Sequence, residues 1–235
     1  MRGRRKAPGA GGTAAADAIS SFLDAVVPAE HRRDPDLAGT PARVAEAWLD
    51  DLLAGYRQDP SSILAGAMPA RGHDLVAVTG IDFHSMCPHH LLPSRGVAHV
   101  AYLPGKQVVG FGQLARLVDC FAHRLVLEEV VARQVAEALV VHLGARGAAC
   151  ILDAEQSCLT VRGERRRNAR AHSQCFLGAL ADDGPLQRRF LALTRSSSGS
   201  GSHPPSPPAG EKVGVRGSSS RSRSRTGSWS RRGAG

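Results

Sequence analysis

His84-Ser85-Met86-Cys87-Pro88-His89-His90-Leu91-Leu92-Pro93 sets one thiol and two imidazoles within four residues, in a chain that holds five cysteines in all. Cys87 and His90 stand in C-x-x-H spacing, close enough for both to reach one ion. Zinc takes thiolate sulfur and imidazole nitrogen at about 2.0–2.3 Å, and a catalytic zinc needs three protein ligands with a position left for water. The third ligand has to come from elsewhere. Cys158, in Gln156-Ser157-Cys158-Leu159, is the best candidate. A bare C-x-x-H also occurs where a buried cysteine merely adjoins surface histidines, so the spacing alone leaves both readings open.

Outward from this stretch the pattern is extended on both sides. Leu75-Val76-Ala77-Val78-Thr79 predicts a strand running to the Cys87 loop, and Val97 to Tyr102 a second one. Leu103-Pro104-Gly105-Lys106 predicts a turn, with Gln107 to Phe111 extended again. Leu114, Leu117, Val118, Phe121 and Leu125 then recur at helical spacing, as do Leu127, Val131, Val135 and Leu139 in a second helix that Gly144 and Gly147 end. Ala148 to Asp153 and Ser157 to Arg162 are expected to be a strand pair or one long strand. On the N-terminal side, residues 14–27 form a helix ending before Pro28. Thr40 and Pro41 open another, as N-cap and first helical residue. Residues 57–73 predict a loop or a frayed short helix. The order gives an α+β domain with an antiparallel sheet.

Charge divides the chain further. The net +9 comes from its ends. Residues 1–12 carry Arg2, Arg4, Arg5 and Lys6 without an acid, and residues 196–235 carry seven Lys and Arg against Glu211, which leaves residues 13–195 at −1. A nucleic-acid reading of the overall charge is therefore misplaced for the folded part. We expect residues 1–13 to be a flexible basic leader, 14–195 the domain, and the Ser-, Gly-, Pro- and Arg-rich 196–235 a disordered tail. Its Ser-Arg alternation at 218–225 could touch RNA weakly; a solvated tail is the simpler reading. An odd number of cysteines, with no signal peptide and no long apolar run, points to a soluble protein of a reducing compartment, the cytoplasm.

Five motifs in order add to this: Thr40-Pro41-Ala42-Arg43-Val44, Ser85 to Pro93, Tyr102-Leu103-Pro104-Gly105, Leu114-Ala115-Arg116-Leu117-Val118 and Cys158-Leu159-Thr160-Val161-Arg162-Gly163. With them the chain resembles the GTP cyclohydrolase I family over residues 14–195. The resemblance implies the tunnelling fold, in which two antiparallel helices back a four-stranded antiparallel sheet. It also implies sheets that join between subunits into a barrel, usually as a decamer with sites at the interfaces. It implies Zn2+ on Cys87, His90 and Cys158, hydrolytic opening of the purine ring of GTP, and formation of dihydroneopterin triphosphate and formate. By the same resemblance His89 moves protons near the ribose and Glu129 grips the guanine edge. Arg116, Arg162 and a neighbouring subunit's Arg43 hold phosphates.

The chain departs from the family at three places. Gln156 stands where a histidine is usual. On a strand it would share a face with Cys158 and point at the purine. A carboxamide does not titrate near neutrality, and loss of a general acid costs about 10²–10⁴ in rate; His172 is a conceivable substitute. Gly112-Gln113 replaces a Ser-Lys pair, and Pro88 replaces a glutamate. These changes leave two alternatives standing: a paralogue with a truncated reaction or another purine nucleotide, or a zinc-holding subunit that binds purine or pterin without turnover.

Overall fold

A computed structural model of the protein describes residues 10–163 and 165–198. Helix α1 (Ala10–Val26) and helix α2 (Thr40–Glu46) pack together ahead of the sheet. α2 continues through wider π-type turns, Ala47–Leu52. Its N-cap is Gly39 rather than Thr40. Gly39 sits at φ 74°, a conformation that glycine adopts without strain. The Thr40 hydroxyl accepts instead from Arg43 at 2.8 Å. α3 (Pro60–Leu64) is a short true helix, because the Asp59 carboxylate accepts from the backbone N–H groups of Ser61 and Ser62. Four residues assigned to the leader, 10–13, are helical. Residues 1–9 of the leader, and the tail from 199 onward, lie outside the described residues.

Strand β1 (Met68–Pro69) meets β4 (Gln107–Val108) in a two-residue ladder. The main sheet is antiparallel with order β2-β3-β5-β6: β2 (Val76–Met86), β3 (Pro93–Leu103), β5 (Gly147–Gln156) and β6 (Ala171–Gly178). Two helices, α4 (Phe111–Ala122) and α5 (Glu128–Leu143), link β4 to β5. Leu114, Leu117, Val118, Val131, Val135 and Leu139 are sealed from water against Phe83, Val100 and Leu152 of the sheet. Each such side chain is worth about 1.5–3 kcal/mol of burial. Gly144 ends α5 at φ 68°, as its sequence position suggests. At one end of the opposite sheet face, α7 (Pro185–Ser198) lays Phe190 against Leu103, Ala149 and Leu180.

Two strand assignments are corrected. Extended structure after the turn stops at Val108, and Phe111 already opens α4. Ser157 to Arg162 is not a strand. Ser157–Thr160 is the short helix α6, closed by the Val161 N–H donating to the Ser157 carbonyl at 3.0 Å. The slot beside β5 belongs to β6, whose Cys175 and Leu177 reach the core. The β-branched character of Thr160 and Val161 is overridden by tertiary context. Among the described residues no helix is long and apolar enough to cross a membrane.

Candidate metal centre and its cleft

β2 and β3 form a hairpin with Met86 opposite Pro93, so residues 87–92 are its loop. The loop is pinned twice. The Cys87 N–H donates to the Leu92 carbonyl at 3.0 Å, and the Leu91 N–H donates to the Cys87 carbonyl at 2.9 Å. Leu91 takes φ 53°, a left-handed conformation that costs a non-glycine residue about 1–2 kcal/mol. That turn brings His90 Nδ1 to 3.8 Å from Cys87 Sγ. Cys158 arrives by a different route. Ser94 of β3 pairs with Gln156 of β5, and the chain turns into α6 immediately beyond, beside the loop.

The ligand atoms of Cys87, His90 and Cys158 all lie within 4.8 Å of one another. A tetrahedral zinc would separate a sulfur and a nitrogen ligand by about 3.6 Å and two sulfurs by about 3.8 Å, from the usual bond lengths. The set therefore fits a soft divalent cation and leaves one position unfilled by protein. The Cys158 thiol is pushed up by burial, then by the facing Cys87, while Arg162 pulls it down. A cation would relieve that repulsion.

A cleft of about 260 Å³ adjoins the cluster at Cys87 and Cys158. Its walls come from the hairpin (Ser85, Cys87, Pro88, His89, Ser94), the start of α5 (Val126 to Glu129), Gln156 and Cys158, and β6 (Ala171, Ser173). The Ser85 and Ser94 hydroxyls bond each other across the hairpin at 2.7 Å. Glu128 is only 8 % exposed. Gln156 Nε2 donates to Glu128 Oε2, and Oε1 has no hydrogen-bond partner among the described residues. Burial raises the Glu128 pKa, against the pull of Gln156 and the Ser173 hydroxyl; Asp153 and Glu129 raise it further.

Of the residues singled out in the sequence, Cys87, His89, Glu129, Gln156 and Cys158 line the cleft, and His90 completes the ligand cluster. Glu129 is exposed, whereas its neighbour Glu128 is buried. Arg162 follows α6 and is exposed. The other residues are elsewhere within one chain. Arg116 borders a separate depression with Asp59 and Asp119. Arg43 is turned onto its own loop, donating to the Ala38 carbonyl at 2.8 Å and the Asp36 carbonyl at 3.3 Å.

The expectation that Gln156 and Cys158 share a strand face is corrected: β5 ends at Gln156, and both reach the cleft because the chain turns there. His172 is no substitute for a histidine at 156. Ala171 and Ser173 face the cleft, so the pleat turns His172 to the other side, 3.7 Å from Asp153. Gln113 is structural: its Oε1 accepts from the Gly110 N–H and its Nε2 donates to the Ile63 carbonyl, both at 2.8 Å. Sequence reasoning missed Glu128, Ser85, Ser94 and Ser173. Adjacency to Glu129 is the one signal that could have raised Glu128, since two consecutive acids at a helix start present one to each side.

Fold and site together define an α+β protein with a four-stranded antiparallel sheet, two covering helices and a Cys-His-Cys metal-type centre. The chain belongs to the GTP cyclohydrolase I family, whose profile matches residues 15–195. It is 44 % identical to GTP cyclohydrolase 1 of Chromobacterium violaceum over 159 residues, covering 67 % of this chain and 77 % of that one. It is 45 % identical to that of Ralstonia nicotianae over 152 residues (65 % and 73 %). Against that of Gloeobacter violaceus it is 40 % identical over 181 residues (75 % and 82 %). The fold family is therefore the tunnelling fold expected from the sequence.

Proposed function

We propose that this chain is a zinc-dependent hydrolase that opens the purine ring of GTP, releasing formate and giving 7,8-dihydroneopterin triphosphate for pterin and tetrahydrofolate synthesis. The observation that carries the reading is the convergence of Cys87, His90 and Cys158 at a cleft, in a chain whose relatives bear that activity in their names. Bound there, zinc would make a water nucleophilic near neutral pH. The chain's own residues do the remaining work. Glu129, at the N-terminus of α5, accepts from N1–H and the 2-amino group of the guanine together. His89 moves a proton near the ribose, and Arg162, just past α6, binds phosphate.

Arg116 also binds phosphate, and Arg43 acts from a neighbouring copy, in a homodecamer. Two features support the assembly. Strands β2 and β6 are sheet edges with no partner strand among the described residues. Leu91, Leu127, Val130 and Val161, on segments bordering the cleft, are exposed apolar side chains of the kind that interfaces cover. Free thiols at all five cysteines agree with a cytoplasmic location.

The test is metal analysis of the purified protein, followed by incubation with GTP while formate and pterin absorbance are tracked together. One zinc per chain with both products supports the reading; zinc without any change in GTP refutes it in favour of a binding role. A second reading, that the reaction stops after ring opening or uses a nucleotide with fewer phosphates, is favoured by Gln156 and by a Gln113 committed to the fold. Formate without pterin, or a formamidopyrimidine by mass spectrometry, would select it.

A further inference from the structure

The cleft contains a carboxyl group that the site as described so far does not use. Glu128 belongs to the first turn of α5, which would ordinarily favour a charged acid facing solvent. Here the side chain is turned under the cleft instead, at 8 % exposure, although Glu129 beside it stays in water. One oxygen is fixed by Gln156, and the other is buried without a partner among the described residues. A charged carboxylate with a bare buried oxygen is an unfavourable arrangement. A neutral carboxyl, which has no charge to desolvate, costs less there.

The groups around it come from three elements. Gln156 (β5) and the Ser173 hydroxyl (β6) favour the charged form, burial outweighs them, and Glu129 (α5) adds a like charge. Asp153 (β5) raises the pKa further from the other sheet face, where Arg170 pairs with it. Every other titratable group on the cleft wall either belongs to the candidate metal set, adjoins it in sequence, as His89 does, or is the exposed Glu129. Gln156 itself carries no dissociable proton, but its amide donates to Oε2 and so fixes the carboxyl group in the cleft wall.

We propose that Glu128 is a catalytic acid of this cleft, donating its carboxyl proton to the imidazole-ring nitrogen of the bound purine as the ring is hydrolysed, with Gln156 as its positioning residue. The inference rests on the purine-hydrolase reading above. The step balances as addition of one water. The water oxygen bonds to C8, the C8–N7 π pair moves to N7, and N7 takes the proton from the Glu128 carboxyl. The water's surplus proton returns through solvent to the carboxylate left behind. In this chain the proton is carried by residue 128 and oriented by residue 156.

The experiment uses full-length, metal-loaded protein in four forms: native, Glu128→Gln, Glu128→Asp and Glu128→Gln with Gln156→His. Metal content and GTP affinity are measured beside the pH profile of formate release. In the native protein the proton donor is present below the pKa of Glu128 and lost above it, so kcat falls on the alkaline side. Glu128→Gln is expected to lower kcat by about 10²–10⁴ with metal and GTP binding retained, and to abolish that alkaline limb. Glu128→Asp should keep the limb at reduced rate, and adding Gln156→His to Glu128→Gln should restore at least about tenfold of the loss. A Glu128→Gln protein within about tenfold of native, limb intact, overturns the proposal while leaving the hydrolase reading standing.

If native protein turns over no GTP, the hydrolase reading fails separately. Infrared difference spectroscopy then decides the carboxyl: a protonated band at neutral pH that vanishes in Glu128→Gln supports the assignment, and an ionised Glu128 overturns it.

Discussion

One layer of the protein, between the sheet and helices α4 and α5, is dry at its centre and polar at its end, and the change takes only one or two same-face positions on each strand. On β2, Ile81 and Phe83 are core and Ser85 is cleft. On β3, Val100 and Ala98 give way to Ser94; on β5, Leu152 and Ala154 give way to Gln156. β6 runs from Leu177 and Cys175 to Ser173, and α5 from Leu139, Val135 and Val131 to Glu128. The site is the end of the core, made by placing one polar residue per element at the last position of a shared face. Its groups therefore inherit the core's desolvation, which is why Glu128 is perturbed and Glu129, one residue on but facing out, is not buried.

The contrast can be broken most severely at the metal end. Cys158→Ser is expected to abolish bound zinc and activity together while the melt of the apolar layer remains cooperative; metal analysis and calorimetry check it. Next is the dry end. Leu139→Ala should cost about 2–5 kcal/mol in urea unfolding, since the side chain is fully buried and leaves a cavity. The serine pair should give less: Ser85→Ala or Ser94→Ala alone strands a buried hydroxyl, for about 1–3 kcal/mol, whereas the double variant should be closer to native than the sum.

Smaller again is the pH effect of Glu128. Its folded pKa lies above the ordinary 4.5, so its favourable contribution is complete below pH 4.5 and disappears as pH rises through the folded value. Glu128→Gln should remove that dependence. The melting point of the variant relative to native should then climb with pH, by about 2–4 °C for each kcal/mol. Smallest is Arg170→Ala. The Arg170–Asp153 pair is 2.5 Å long but substantially exposed, and its loss should change stability by under about 1 kcal/mol.

Much of this was legible in the chain. Local patterns gave the strands before and after the 87–92 loop, helices α4 and α5 and the glycine that ends α5, because apolar periodicity and αL glycine are local properties. Cys87 and His90 were legible for the same reason: three residues apart, they need only one turn to meet. The segment from Ser157 is helical although Thr160 and Val161 carry β propensity, because local propensity cannot be weighed in one segment against the competing claim of β6 on the edge of β5.

Cys158 stood out as the third ligand candidate from the sequence and resemblance to a family selected His89 and Glu129, but no sequence pattern told which of two neighbouring acids turns inward. That choice depends on the phase of α5 against a sheet whose strands lie 28 and 45 residues away at Gln156 and Ser173. The sequence by itself determined the element types, the charge-poor domain with basic ends, and the set of possible ligands. Tertiary structure alone decided that Gln113 braces α4, that His172 faces away, and that Glu128 is buried against Gln156. Burial and partnership depend on side chains distant in sequence meeting in space, and local periodicity carries no information about that meeting.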